Sequence, residues 1–118
     1  MEVTFTGDAF GRVLGTIAHD GAQATVSGSD SLSAMADLRL AVDSAIAHDH
    51  GECFWREALG EYRWLFRREG RTMRVVILRS TGTLTGWEHC LWAECDAGQF
   101  RCAMSAAMEE YESSLSTL

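Results

Sequence analysis

The chain contains no proline and no lysine, and none of its stretches approaches the roughly 18 consecutive apolar residues that a membrane helix needs. Without proline or a low-complexity segment, nothing marks a linker, and 118 residues are most simply one domain, 1–118, around one core. Lysine's absence removes Schiff-base chemistry and a lysine-bearing phosphate loop, and no GxSxG elbow replaces them. The amino terminus, MEVTFTGDAF, is acidic and has no basic region ahead of an apolar run, so neither a signal peptide nor a membrane span is expected. The cysteines Cys53, Cys90, Cys95 and Cys102 are then expected as reduced thiols in a cytoplasm.

Hydrophobic residues make up 47% and charged residues 23%, the range of a folded globular protein. The net charge is −7, which sets the chain as a whole against phosphate backbones and anionic membranes. All ten basic residues are arginine, and seven of them fall between Arg56 and Arg79, where the local charge is +4. The flanks carry −6 over 1–55 and −5 over 80–118.

Alternation at Val3 and Phe5 predicts a strand, Phe10 to His19 a second, and Ala22 to Ser27 a third returning across Asp20-Gly21, a pair suited to a tight hairpin. Asp30 or Ser31 can cap a helix running to His48, with Leu32, Ala34, Met35, Leu38, Ala41, Val42, Ala45 and Ile46 on one side. Gly51 is expected as its left-handed stop. Glu52 to Leu59, Glu61 to Arg68 and Arg71 to Arg79 read as hairpin-linked strands, and residues 80–86 as an irregular connection or bulge before a strand from Trp87 to Cys95. Asp96 and Gln99 have the spacing of a capping box, and Phe100, Ala103, Met104, Ala107, Met108, Tyr111 and Leu115 follow at helical spacing.

The order β-β-β-α-β-β-β-β-α with short turns predicts an α+β two-layer sandwich. One antiparallel sheet of about six to seven strands is expected, with two helices packed on one face.

Three of the cysteines, one histidine and two tryptophans lie in GWEHCLWAECDAGQFRC, residues 86–102. Strand alternation sets Trp87, His89, Leu91, Ala93 and Cys95 on one face and Glu88, Cys90, Trp92 and Glu94 on the other, while Cys102 falls on the polar side of the last helix. These thiols do not converge, and Cys-x4-Cys-x6-Cys is not a paired CxxC pattern, so no metal site is assigned there. In HDHGEC the residues His48, His50 and Cys53 are metal-ligand types, but histidines in a helix's last turn already complement its negative end. No cofactor is expected.

The arginine hairpin, YRWLFRREGRTMRVVILR, is the most distinctive feature. Arg63, Leu65 and Arg67 share one face of its first strand, and Arg74 falls among aliphatic residues in the second. A mixed arginine and aliphatic face with aromatics nearby is a composition that protein interfaces enrich. The expected contact residues are Arg63, Arg67, Arg71, Arg74 and Trp64. The bland explanation is a solvated face whose arginines pair with Glu57, Glu61, Glu69, Glu88 and Glu94. If Glu88 and Glu94 face the neighbouring arginines, the positive patch is compensated.

The leading expectation is therefore a non-enzymatic protein that binds another protein through its sheet, as an inhibitor or immunity-type neutraliser does, with a homodimer through the same face as a second possibility. The alternative is a small-molecule binder or enzyme with a pocket between helices and sheet, using His89, Glu88 or the HDH stretch. Nucleic-acid binding by the arginine hairpin is the weaker alternative, given the chain's acidity.

Overall fold

A computed structural model describes residues 1–82 and 86–115. The first strands form an antiparallel meander of β1 (Glu2–Gly7), β2 (Val13–His19) and β3 (Ala22–Gly28). Helix α1 (Ser31–His48) leads into a second antiparallel sheet of β4 (His50–Glu57), β5 (Gly60–Glu69), β6 (Thr72–Ser80) and β7 (Glu88–Asp96), and α2 (Ala97–Leu115) closes the chain. The class is α+β, as expected, but the strands divide into sheets of three and four rather than joining in one. The meander ends where β3 gives way to α1, and just beyond Gly28 the Ser29 N–H donates to the carbonyl of Arg56 in β4 at 2.8 Å.

One face of the four-stranded sheet is buried by α1, α2 and the meander together. Cys53 and Trp55 of β4, Trp64 and Phe66 of β5, Met73, Val75 and Ile77 of β6, and Leu91, Ala93 and Cys95 of β7 all point into this shared core. Phe5 reaches it from β1, 6.2 Å from Trp55 and 6.5 Å from Trp64, and Phe100 brings in α2, 5.2 Å from Phe66. The tilted ring pairs add dispersion and quadrupole attraction to the area they bury. Among the described residues, no helix or further strand packs on the other face of this sheet.

The caps expected at both helices form: Asp30 Oδ1 accepts from the Ser33 N–H, and Asp96 Oδ2 accepts from the Gln99 N–H at 3.0 Å. The end of α1 differs from expectation. Asp49, with φ of 71°, takes the left-handed position and donates its N–H to the Ala45 carbonyl. Gly51 instead lies within β4, where a Cβ would come 1.9 Å from the Ala41 carbonyl oxygen. It is needed for room: the small residues Ala34, Ala41 and Ala45 let α1 settle onto β4, and Trp55 Nε1 donates to the Ala34 carbonyl at 2.8 Å. Leu32, expected on the apolar side, is exposed in the first turn.

The proposed strand from Phe10 is also shorter. Asp8 Oδ1 accepts from the N–H groups of Phe10 and Arg12, which holds these residues in a turn and delays β2 to Val13. Of the irregular connection at 80–86, residues 83–85 lie outside the described residues. The bulge falls later. Ile77 pairs with Leu91 and Leu78 with His89, so the ladder skips Cys90. An extra residue reverses the strand's parity, and Trp87 and His89 are therefore not on the core side with Leu91.

Candidate functional site

The bare face of the four-stranded sheet can be written as rows of register partners. The first row is His50, Arg67, Arg74 and Glu94; the second is Glu52, Leu65, Val76 and Trp92; the third is Phe54, Arg63, Leu78 and His89. An aliphatic stripe thus lies between two rows that carry arginine.

The arginines are held in different ways. The Arg63 guanidinium lies 5.6 Å from the Phe54 ring and 5.9 Å from the Trp87 ring, and its Nη2 donates to Glu52 Oε2 at 2.7 Å. Phe54 and Trp87 are themselves 6.1 Å apart. The guanidinium carbon and the two ring centres form a near-equilateral triangle, so one cation lies against both rings and each attracts it through its quadrupole. Arg74 sits 5.5 Å from the Trp92 ring and donates through Nε to Glu94 at 3.3 Å. Arg68, on the rim beside α1, donates through Nε and Nη2 to Asp49 Oδ1 at 2.9 and 2.7 Å. Arg79 lies 5.7 Å from the Tyr62 ring.

Of the three arginines on the bare face, Arg67 is the least compensated. It stands directly across from Arg74, and its nearest carboxylate is Glu69 at 3.8 Å. Glu94 therefore does face an arginine, as the compensated reading required, whereas Glu88 is opposite Arg79 in register without an ion pair among the described residues.

The expected contact residues divide accordingly. Arg63, Arg67 and Arg74 are brought together on the bare face. Arg71 is in the turn between β5 and β6, where its carbonyl accepts from the Ala97 N–H at 2.7 Å and its side chain is exposed. Trp64 is a correction: its side chain is fully buried, on the opposite face of β5 from Arg63, 5.0 Å from Trp55. Strand alternation allows Arg63 and Trp64 no common face.

Sequence reasoning missed the aromatic components, Phe54, Trp87 and Trp92. Phe54 was legible in the alternation of Glu52, Phe54 and Arg56 against Cys53 and Trp55. Trp87 was hidden by the bulge at Cys90.

His48, His50 and Cys53 are not assembled into a ligand set. His50 is exposed and Cys53 points into the core, and His50 Nδ1 is 3.0 Å from the His48 carbonyl oxygen. Burial, then the nearby charges of Asp37 and Glu52, push the Cys53 thiol up to about 12. Among the described residues no group of three histidine, cysteine or acidic side chains could hold a metal ion. Cys90 and Cys95 also have raised pKa values, chiefly from burial, while Cys102 is exposed.

Two depressions flank these elements. One, of about 310 Å³, lies where the start of α1 meets β4, and is lined by Ser29, Asp30, Ser33, Asp37, Trp55 and Arg56 among others. The other, of about 300 Å³, opens on the bare face over Leu65 and Val76. Neither brings together His48, His50 and His89. No helix among the described residues is long and apolar enough to cross a membrane.

No family model matches the chain, and no curated protein or solved structure is significantly similar to it.

Proposed function

We propose that this is a non-enzymatic binding protein that engages another protein through the outer face of its four-stranded sheet, as an inhibitor or immunity-type neutraliser would. The observation that carries this reading is the pairing of aromatic rings with guanidinium groups on a face that no other element among the described residues covers. Phe54, Trp87 and Trp92 are 41%, 37% and 53% exposed, and Arg63 and Arg74 lie against them. Tryptophan and arginine dominate interface hot spots because they bury large areas while still presenting directed hydrogen bonds. Side chains already held in place lose less rotamer freedom on binding, which favours this face over one of free arginines. Glu94 and Glu52 weaken the positive patch, so the support lies in shape and composition more than in net charge.

We read the compartment as the cytoplasm. The support is that all four thiols stand unbridged.

The test is site-directed photo-cross-linking in the protein's native cells. A benzoylphenylalanine in place of Trp92 is expected to give a discrete cross-linked species, and the same group in place of Leu40, exposed on α1, is expected to give none. The same bands from both positions, or none from position 92, would remove the sheet face as the binding surface.

A further inference from the structure

We propose that the partner's contact segment is acidic, with an aliphatic or aromatic side chain set between its carboxylates, and that it seats over Leu65 and Val76 beside Arg67 and Arg74. This inference rests on the reading of the sheet face as an interface and adds the chemistry of what the face receives.

The first observation is the direct cross-strand pairing of Arg67 with Arg74. Like charges opposite one another on a sheet face oppose folding. Elsewhere arginines have short carboxylate bonds of 2.7 Å, at Arg63 on the same face and at Arg68 on the rim beside α1. At this pair compensation is poor: Arg67 is 3.8 Å from Glu69 with both side chains about 70% exposed, and Arg74 reaches Glu94 through Nε alone. His50 extends the same row. Two cations held side by side with donors to spare match a carboxylate supplied from outside.

The second observation is the floor beside them. A depression of about 300 Å³ is bordered by Arg67, Arg74, His50 and Glu52 and floored by Leu65 and Val76. A smaller one of about 160 Å³ lies on the other side of the arginine pair, against Glu69, Thr72 and Glu94. The arginines form a ridge between the two. A segment crossing that ridge meets cations at its carboxylates and apolar surface at the side chain between them.

Other occupants fit less well. A second copy related by a two-fold axis through the pair would set these arginines against their own kind. A phosphate chain also offers anions, but it has no apolar group to set over Leu65 and Val76 between its charges, which would run on against Glu52, Glu69 and Glu94.

The experiment is NMR titration of the full chain, labelled with ¹⁵N and ¹³C, with three blocked peptides: acetyl-Glu-Leu-Glu-Phe-Glu-amide, its Gln-Leu-Gln-Phe-Gln counterpart and Glu-Gly-Glu-Gly-Glu. The first is expected to shift the Arg67 and Arg74 side-chain signals and the Leu65 and Val76 methyls, binding roughly tenfold or more tightly than either control. Arg67→Gln with Arg74→Gln is expected to abolish that preference while the chain keeps a cooperative thermal transition and the backbone spectrum of the folded protein. Equal binding of the Gln peptide would remove the charge requirement, and equal binding of the Gly peptide would remove the apolar one. Tighter binding of an oligothymidylate would assign the face to nucleic acid, and a concentration-dependent dimer that produces the same shifts would assign it to a second copy. If the peptides show no preference while position 92 still cross-links, the acidic segment is wrong and the broader reading stands. If the cross-link fails as well, both fall.

Discussion

Replacing Gly51 with alanine tests the packing that holds the bare sheet in place. A Cβ there would lie 1.9 Å from the Ala41 carbonyl oxygen and 2.8 Å from its carbonyl carbon, whereas ordinary contact begins near 3.4 Å. The obstacle is helix backbone, so no side chain can rotate away, and α1 would have to withdraw by roughly 1.5 Å. That movement loosens Leu38, Ala41, Val42 and Ala45 in the core and stretches the bond from Trp55 Nε1 to the Ala34 carbonyl. Overpacking of a tight core costs about 1–3 kcal/mol, and loss of the indole bond adds about 1 kcal/mol, for an expected total near 3 kcal/mol. Urea unfolding followed by tryptophan fluorescence and far-ultraviolet circular dichroism measures it. At an m-value of about 2 kcal/mol/M, the midpoint should fall by roughly 1.5 M. Gly21→Ala is the control, because Gly21 has φ of +83° but nothing within 4 Å of the added methyl. Its cost should be about 1 kcal/mol, from backbone strain alone. A Gly51→Ala loss no larger than that of Gly21→Ala would refute the close seating of α1 on β4.

Four further outcomes are expected. Arg63→Ala should lower stability by about 1 kcal/mol, since it removes a two-ring cation–π contact and a partly exposed ion pair, and Arg63→Lys should recover only part of this in the same urea assay because a compact ammonium cannot contact both rings and keep the bond to Glu52 as the broad guanidinium does. Arg67→Thr should leave stability unchanged or raise it by up to about 1 kcal/mol by relieving the repulsion with Arg74, and a loss above about 1 kcal/mol in thermal unfolding would contradict that account. In thiol labelling at pH 8, Cys102 should react first and Cys53 only on unfolding. The Cys53 thiol is pushed up to about 12 from an ordinary value of 9.0, so above pH 9 the unfolded chain releases a proton that the folded chain retains. Stability from this group is complete below pH 9 and declines between pH 9 and 12, and Cys53→Ser should flatten that decline.

Much of the secondary structure was legible because its causes are local. Alternation at Cys53, Trp55, Trp64, Phe66, Met73, Val75 and Ile77 marks one wet and one dry face of successive strands, and Asp30 and Asp96 supply oxygen to the first N–H groups of the helices they precede. The arginine face was legible for the same reason at Arg63, Arg67 and Arg74. Trp64 was misassigned to the contact set although its own alternation places it with Phe66 in the core. Trp87 could not be placed, because the one-residue skip at Cys90 depends on how β7 meets β6 and leaves no mark in the composition of either strand.

By itself the sequence determined the order of strands and helices, the faces of most strands, the helix caps and the concentration of arginine between residues 56 and 79. Each depends on neighbours within a few residues. Only the tertiary structure decided that the strands divide into three and four, that Gly51 serves the approach of α1 rather than its end, and that Phe54, Trp87 and Trp92 share the uncovered face with the arginines. These depend on which distant backbones meet and how closely, and a periodic pattern along one strand carries no record of the partner it will find.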